Sequence, residues 1–429
     1  MTGAAAKADP IKNTSYKVVL PFYIYAALAL LAATILLVFS TPAFTGHYFH
    51  PHTLAITHAM ALGWGTMIIL GASHQLVPVL IEGKLYSNAL AYISFALAAA
   101  GIPLLIYGFY VFNMGWPARW GGILINGAML AYLLNVGFSL AKSKNENVQA
   151  VFVFTAVLWL LLTTGVGLLL VYNFSFPLLS KDSLHYLPLH AHIGIIGWFL
   201  LLITGVGSRL IPLFLISKYN NTKLLWWIYA LINGGLVLFI VLFLFSPGKS
   251  FYLLPLGLVL IAIIMFGYFC YQSYKQRIRK QVDEQMKISI LSVLMTVLPL
   301  VILLLTIGWS LATGNNERLV LTYGFTIFFG WITAIILGMT FKTLPFIVWN
   351  KVYHNLAGVG KTPNPKELFS DKIFTGMALT YLVGFILFAT GILLAHLFIL
   401  KASALILLTA AILYNLNVFK IIIHQPVKQ

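Results

Sequence analysis

The sequence predicts an all-α membrane protein whose twelve transmembrane helices form three quasi-equivalent four-helix repeats. The first observation is composition: 61% of the residues are hydrophobic and only 8% are charged. Such a chain has lipid as its main solvent. The second observation is a series of long apolar segments, and the third is a motif that recurs at an even interval. No polar stretch is long enough for a soluble domain, so residues 1–429 are predicted to be one transmembrane domain.

Twelve apolar segments reach the length of about 20 residues that a helix needs to cross a bilayer. The first of them follows a polar leader and is too long for the core of a signal peptide, so it is predicted to stay in the protein. The predicted spans are 17–40, 53–81, 87–113, 119–141, 150–174, 187–216, 222–246, 251–274, 287–312, 319–349, 372–394 and 396–420.

The connectors between these spans alternate in charge. Those such as "AKSKNENVQ" and "YQSYKQRIRKQVDEQMK" are basic, whereas "STPAFTGHYFHPH" and "ATGNNERL" carry a single Arg between them. The positive-inside rule then predicts a multi-pass protein of the inner (cytoplasmic) membrane with both termini cytoplasmic. The formal net charge of +17 is explained by anchoring against anionic lipid, and it needs no nucleic-acid partner.

A motif recurs three times along the chain. The stretches are "HAMALGWGTMIILGASHQLVP", "HIGIIGWFLLLITGVGSRLIP" and "FTIFFGWITAIILGMTFKTLP". All three share Gly-Trp, a Gly seven residues after the Trp and a Pro fourteen residues after it. The tryptophans are Trp64, Trp198 and Trp331, at intervals of 198−64=134 and 331−198=133 residues. Each interval holds four spans, which predicts repeats of about 17–141, 150–274 and 287–420.

Histidines stand near the start of two of the repeated helices. His58 and His192 occupy equivalent positions, and His190 precedes His192 by two residues. Positions i and i+2 of a helix point about 200° apart, so His190 and His192 are predicted to serve different sites. Equivalent depth offers His58 and His192 as the two-sided imidazole pair that a bis-histidine haem iron requires. The alternative is that each imidazole hydrogen-bonds a neighbouring carbonyl.

Other polar residues near the spans have structural and functional interpretations. His74 is a candidate ligand of a second haem, although a structural role is favoured. Arg209 and Lys342 are candidates for anion contacts at an inner mouth, although snorkelling to the headgroups is the favoured interpretation. Loop histidines suggest a surface copper or zinc site, because imidazole suits both metals. These are His47, His50, His52 and His185, next to His58, His190 and His192.

Cysteine and acidic residues limit the chemistry further. Cys270 is the one cysteine, so the sequence offers no disulfide framework, no Cys-x-x-Cys-His attachment of haem and no cysteine-based metal site. All nine acidic residues fall in predicted connectors or at helix ends, which disfavours proton pumping and cation-coupled transport. They are Asp9, Glu82, Glu146, Asp182, Asp283, Glu284, Glu317, Glu367 and Asp371.

The twelve spans, the threefold repeat and the helix reading "HAHIGIIGW" at 190–198 resemble subunit I of haem-copper oxidases, most closely the cbb-type cytochrome c oxidases. That resemblance implies that His192 ligates a low-spin haem opposite His58 and that His190 faces a second site. The family carries the His-x-His pair on the tenth helix, where this chain has Tyr323 and Phe325. The seventh span, "LLWWIYALINGGLVLFIVLFLF", has no histidine. A complete haem-copper centre is therefore not expected.

The motif also resembles the NnrS-type membrane proteins, which are short relatives of subunit I associated with haem, copper and the nitric-oxide stress response. Together the resemblances imply a haem-binding membrane redox protein that acts in nitric-oxide response or in respiratory electron transfer, with a redox protein or other respiratory subunits as partners. Haem b is the expected cofactor, and copper is a second candidate. As an enzyme, it would be a haem-dependent oxidoreductase acting on oxygen or nitric oxide. The alternative is a transport or assembly protein for haem, copper or a small anion.

Overall fold

The computed structural model describes residues 14–143, 147–245, 248–278, 280–314, 316–354 and 362–426. Over these ranges the chain is helical and forms no β-strand beyond one isolated bridge between Ser217 and Arg277. Within the same ranges, twelve helices are long and apolar enough to cross a membrane, and we number them α1 to α12. They are Tyr16–Phe39, Pro51–Leu80, Asn88–Tyr110, Trp116–Ala141, Val148–Asn173, Ser183–Leu215, Thr222–Phe245, Lys249–Lys275, Glu284–Ala312, Glu317–Tyr353, Asp371–Leu394 and Leu397–Ile422.

The predicted all-α multi-pass architecture is confirmed, and the span limits agree with the structure to within four residues. The largest differences are at the start of α6 and the end of α10, which both extend beyond the apolar segment. Asp182 causes the first difference, because its carboxylate accepts the backbone N–H of His185 at 2.8 Å and so caps α6 four residues before the predicted start.

Three of the spans, α2, α6 and α10, contain a π-helical segment. The segments are Ala59–Thr66, Ile193–Leu200 and Thr326–Ile332, and each includes one Gly-Trp pair. Their first residues are separated by 193−59=134 and 326−193=133 residues, the same intervals as those between the tryptophans. A π turn adds a residue to the helical turn and occurs most often at functional sites. The repeated motif therefore coincides with a repeated backbone irregularity.

The buried tryptophans of this motif join the three helices to one another. The indole N–H of Trp64 donates to the hydroxyl of Thr333 at 3.1 Å, which links α2 to α10. The indole N–H of Trp198 donates to the hydroxyl of Thr66 at 3.0 Å, which links α6 to α2. In each case the acceptor lies two residues after another tryptophan of the motif. The corresponding position in α6 is Leu200, which has no hydroxyl to offer Trp331.

The glycine seven residues after each tryptophan allows a neighbouring helix to pack closely. A Cβ added at any of the three would overlap with a side chain of the span that precedes it. Glycine is required at such a position because any side chain would force the two backbones apart. Gly71, Gly205 and Gly338 face Phe22 of α1, Phe152 of α5 and Ser289 of α9, respectively.

Candidate haem-binding site between α2 and α6

Three intramembrane histidines, His58, His190 and His192, lie toward one end of the bundle, where α2, α6 and α10 begin. We call this the histidine end. His58 is seven residues into α2 and His190 is seven residues into α6, so each lies about 10 Å along its helix at 1.5 Å per residue. His58 is the last α-helical residue before the π segment of α2. The two histidines therefore come to similar depths on neighbouring spans.

The imidazoles of His58 and His190 face each other. Their ring centroids are 6.2 Å apart and their planes differ by 14°. Nδ1 of His58 lies 2.8 Å from the carbonyl oxygen of Leu54, and Nδ1 of His190 lies 3.1 Å from the carbonyl oxygen of Thr163. A carbonyl can only accept, so each Nδ1 carries the proton and donates it. Nε2 of both rings is then the unprotonated nitrogen that could bind a metal.

His190 reaches α5 because that helix has a glycine at the contact. A Cβ on Gly167 would lie 2.8 Å from Cε1 of His190, closer than real Cβ contacts come. Gly167 follows Thr163 by one helical turn, so its missing side chain also leaves the Thr163 carbonyl open to the imidazole. The direction of His190 is therefore set by α5 as well as by its own helix.

A cavity of about 530 Å³ contains the two histidines. Residues of α2, α3, α4, α5, α6, α9 and α10 line it, and most of them are apolar. Asn126 is a polar exception, and its side-chain amide N–H groups already donate hydrogen bonds to the carbonyls of Gly122 and Thr164. At the histidine end, Phe49 and Phe174 lie parallel with centroids 6.1 Å apart. The two facing imidazoles therefore lie in a mostly apolar chamber, which we call the α2/α6 cavity and whose wall also includes His192 and Tyr323.

His192 lies in a different place from the one that repeat equivalence predicts. Its Nδ1 donates to the carbonyl of Pro188 at 2.7 Å, and its Nε2 accepts the Tyr323 hydroxyl at 3.3 Å. The ring also packs 5.0 Å from Phe239. The side chains of His190 and His192 diverge, as their spacing predicts, and the structure does not bring His192 to face His58. His190 is the histidine that faces His58, because the Thr163 carbonyl turns it toward α2.

His74 is fully buried, but it lies away from this site. It follows His58 by sixteen residues on α2, which places it about 24 Å further along the helix. Its ring packs 5.3 Å from Phe22 and 5.4 Å from Tyr132. Neither ring nitrogen has a hydrogen-bond partner among the described residues. The structure therefore gives His74 apolar and aromatic neighbours and does not bring it to the two facing imidazoles.

The loop histidines serve local contacts. Nε2 of His47 is 3.7 Å from the Glu317 carboxylate, and Nδ1 of His50 accepts the backbone N–H of His52 at the start of α2. The ring of His52 stacks on Tyr110 at 4.2 Å. Partial burial and the neighbouring His52 lower the pKa of His50. The described part of the chain contains no group of three or more His, Cys, Asp or Glu placed to hold a metal ion. The structure does not assemble the surface copper or zinc site.

Arg209 and Lys342 have different environments at the opposite end of the bundle. Lys342 forms an ion pair with Asp283, and both side chains are largely buried. Asp283 also accepts the backbone N–H of Met286 and caps α9. The equivalent Arg209 is exposed at the surface. Lys342 is therefore committed to a carboxylate, which does not favour an anion site there.

The expectation that no acidic residue lies in the middle of a span is confirmed for the seven described ones. They all lie in connectors, at N-caps or in first turns: Glu82, Asp182, Asp283, Glu284, Glu317, Glu367 and Asp371. Asp9 and Glu146 lie outside the described residues.

No protein-family model and no curated protein matches this chain. The argument for a site therefore depends on the chain's own residues. Two of these, Thr163 and Gly167, were not predicted, since Thr163 contributes only a backbone carbonyl and Gly167 only an empty space. Tyr323 was identified only as the residue that replaces a histidine of the oxidases, and the structure adds that its hydroxyl binds His192.

Proposed function

We propose that this chain is a haem-binding membrane redox protein in which His58 and His190 hold a b-type haem in the α2/α6 cavity. The observation that carries the proposal is the pair of facing imidazoles with centroids 6.2 Å apart. With metal–nitrogen bonds of roughly 2.0–2.1 Å and a ring centroid about 1.1 Å behind each nitrogen, two imidazoles on one metal place their centroids about 6 Å apart. The observed separation agrees with that value.

The hydrogen bonds of the two histidines and the size of the cavity also suit a haem. Each Nδ1 donates to a backbone carbonyl, and such a second bond fixes the tautomer and makes Nε2 a better ligand. The cavity volume of about 530 Å³ lies within the roughly 300–1,000 Å³ typical of cofactor sites. The chain's single cysteine is Cys270 of α8, so the haem would be held by ligation and packing. A haem held by His58 and His190 would supply one-electron transfer, and ligation by both imidazoles would leave no open position for a gas.

The proposed scaffold is a ring of three repeats centred on α2, α6 and α10. It is supported by the equally spaced π segments, by the close-packing glycines and by the order of the tryptophan bonds. The second repeat donates to the first through Trp198, and the first donates to the third through Trp64. This organisation supports the resemblance to haem-copper oxidase subunit I and to NnrS-type proteins. We infer a role in nitric-oxide response or respiratory electron transfer in the cytoplasmic membrane, with a redox protein as partner.

The haem assignment is tested on the purified full-length chain by a pyridine haemochrome assay and by the absorption and electron paramagnetic resonance spectra. We expect one low-spin haem b. His58→Ala and His190→Ala should each abolish the low-spin signal, and exogenous imidazole should restore it. His185→Ala is the matched control at the histidine end and should leave the signal intact.

Two results would overturn the proposal. The first is wild-type protein that binds no haem after expression with added haem precursor. The second is a low-spin signal that survives in both single variants. Size-exclusion chromatography of each variant separates a lost ligand from a lost fold.

A further inference from the structure

A second cavity lies on the other side of α6. It has a volume of about 350 Å³ and is lined by α6, α7, α8, α9 and α10. We call it the α6/α10 cavity. The backbone of α9 is interrupted at Thr296, one of its lining residues, and the next lining residue of α9 is Pro299. It adjoins the α2/α6 cavity, and the two share wall residues of α6, α9 and α10: Pro188, His192, Ile195, Leu303, Thr306, Val320 and Tyr323.

The α6/α10 cavity has two chemically different parts. Toward the histidine end its walls are rings: Phe239 lies 5.0 Å from His192, 5.8 Å from Tyr252 and 6.2 Å from Phe243. These are separations at which flat rings pack against one another, so a flat ring from a ligand could pack there in the same way. Toward the middle of the bundle the walls are aliphatic. They include Leu200, Val259, Ile263, Leu300 and Ile327.

The aromatic part carries one buried polar pair, Tyr323 and His192. Because Nδ1 of His192 donates to Pro188, the Tyr323 hydroxyl must donate to Nε2. This hydroxyl occupies the position in front of Nε2 where a metal would bind. The pair therefore differs from His58 and His190, whose Nε2 atoms are both free of protein hydrogen bonds in the described chain. The Tyr323 oxygen keeps lone pairs that can accept a further hydrogen bond from a ligand hydroxyl.

The cavity has the orientation that a lipid-like ligand takes in a bilayer. Lys249 and Ser310, whose side chains are joined by a 2.9 Å hydrogen bond, lie at its surface end. Trp331 lies at its deep end, eight residues after Tyr323 and so about 12 Å further along α10. Apart from Trp331 and Thr296, polar and aromatic groups are thus near the surface end, and aliphatic groups are near the middle of the bundle. A molecule with a flat oxygen-bearing head and an aliphatic tail matches this gradient.

We propose that the α6/α10 cavity binds a quinol-class lipid, that is, a flat ring with hydroxyl oxygens and an aliphatic tail. The ring packs against Phe239 and Tyr252, one hydroxyl donates to the oxygen of Tyr323, and the tail follows the aliphatic wall. The proposal does not depend on haem in the α2/α6 cavity, because none of its contacts involves His58 or His190.

The test is calorimetric titration of purified full-length protein, freed of endogenous lipids, with a decyl-substituted 1,4-benzoquinol. Decylbenzene, which has the same tail and ring but no oxygens, is the matched probe. The wild type should bind the quinol at least tenfold more tightly than decylbenzene. Tyr323→Phe should weaken quinol binding roughly tenfold, as expected for one lost hydrogen bond between buried groups, and should leave decylbenzene binding unchanged. Tyr186→Phe, a tyrosine at the same end and outside the cavity, should leave both affinities unchanged.

Three outcomes would overturn this assignment. The first is equal affinity for the quinol and decylbenzene, which would mean that the cavity takes only an aliphatic chain. The second is quinol binding unaffected both by Tyr323→Phe and by Phe239→Ala. The third is a second haem per chain that disappears in His192→Ala, which would mean that the cavity holds a porphyrin. Failure of the haem proposal would appear separately, as loss of the low-spin spectrum with quinol binding intact.

Discussion

At the histidine end, the direction of each intramembrane imidazole is fixed by the carbonyl that its Nδ1 contacts. His58 and His192 both use the carbonyl four residues earlier on their own helix, Leu54 and Pro188 respectively. These two histidines therefore keep the local equivalence that the repeat predicts. His190 instead uses the Thr163 carbonyl of α5. Its direction depends on a neighbouring helix, which no local pattern in α6 could reveal.

Gly167→Ala tests this dependence. The added methyl group would lie 2.8 Å from Cε1 of His190, so the imidazole must turn away and its bond to Thr163 must break. We expect haem affinity to fall about tenfold or more, because loss of an outer-shell partner of a ligating histidine typically costs 10–100-fold. The measurement is haem titration of the purified variant, followed by its low-spin absorption.

Gly165→Ala is the matched control on the same helix. A Cβ there has the Asn126 amide oxygen as its nearest neighbour, at an ordinary 3.8 Å. It should bind haem like the wild type. Equal haem affinity in the two glycine variants would show that α5 does not position His190.

A second prediction at the scale of residues concerns how much the ion pair of Lys342 with Asp283 contributes to stability. The two side chains are 13% and 15% exposed, so removing either leaves a poorly solvated charge. A double-mutant cycle with Lys342→Met and Asp283→Asn should give a coupling of about 1–3 kcal/mol in the free energy of unfolding. Asparagine can still cap α9, which separates the ion pair from the cap.

The control is Arg209→Met, at the equivalent but exposed position. It should change the free energy of unfolding by less than about 0.5 kcal/mol. If the effects of the two single substitutions on the free energy of unfolding simply add, the ion pair contributes no coupling, and Lys342 is free to serve as an anion contact.

At the scale of elements, the π segments explain why the tryptophan motif recurs. Each segment places an indole toward the neighbouring repeat, and two of the three indoles find a threonine hydroxyl there. The threonine lies two residues after the tryptophan of its own repeat. A buried indole N–H without an acceptor is costly in a low-dielectric interior, so these two bonds help to hold α2 against α6 and α10.

Substitution of the acceptors tests this element. Thr66→Val and Thr333→Val keep the side-chain shape and remove the hydroxyl, so each should lower the free energy of unfolding by about 1 kcal/mol. Thr66→Ser and Thr333→Ser keep the hydroxyl and should recover most of that loss. The measurement is reversible unfolding in mixed micelles. A serine variant no more stable than the corresponding valine variant would show that packing, and not the hydrogen bond, stabilises the contact.

At the scale of the whole molecule, the pairs of facing residues follow one rule. His58 of the first proposed repeat faces His190 of the second, and His192 of the second faces Tyr323 of the third. His190 and Tyr323 are equivalent positions, two residues before the position that His58 and His192 share. In a ring with threefold symmetry, three equivalent residues can contact one another only at the symmetry axis. Away from the axis, a residue of one repeat faces a residue at a non-equivalent position of the next repeat. The predicted His58 and His192 pair neglected this consequence of the proposed symmetry.

The same comparison shows what a sequence can reveal about this fold. The spans were predictable because bilayer thickness fixes the length of each apolar segment, and α8 and α11 begin and end within two residues of their predicted limits. The divergence of His190 and His192 was predictable from helix geometry. The π segments were not predictable from the sequence. A helix of the same composition can form either an α turn or a π turn, and tertiary contacts determine which of the two forms. The contact of His190 with the Thr163 carbonyl was hidden for the same reason.

The last prediction concerns the orientation of the molecule. The even number of candidate spans predicts that both termini lie on one side, together with the basic connectors such as that between α8 and α9. The positive-inside rule makes it the cytoplasmic side, with the histidine end opposite. In a Cys270→Ser background, Asn220→Cys between α6 and α7 and Thr313→Cys after α9 place single thiols at the two ends, and both native side chains are exposed. A membrane-impermeant maleimide applied to intact cells should label Thr313→Cys, and should label Asn220→Cys only after permeabilisation. The reverse pattern would place the histidines toward the cytoplasm, and it would require a soluble redox partner to approach the haem from that side.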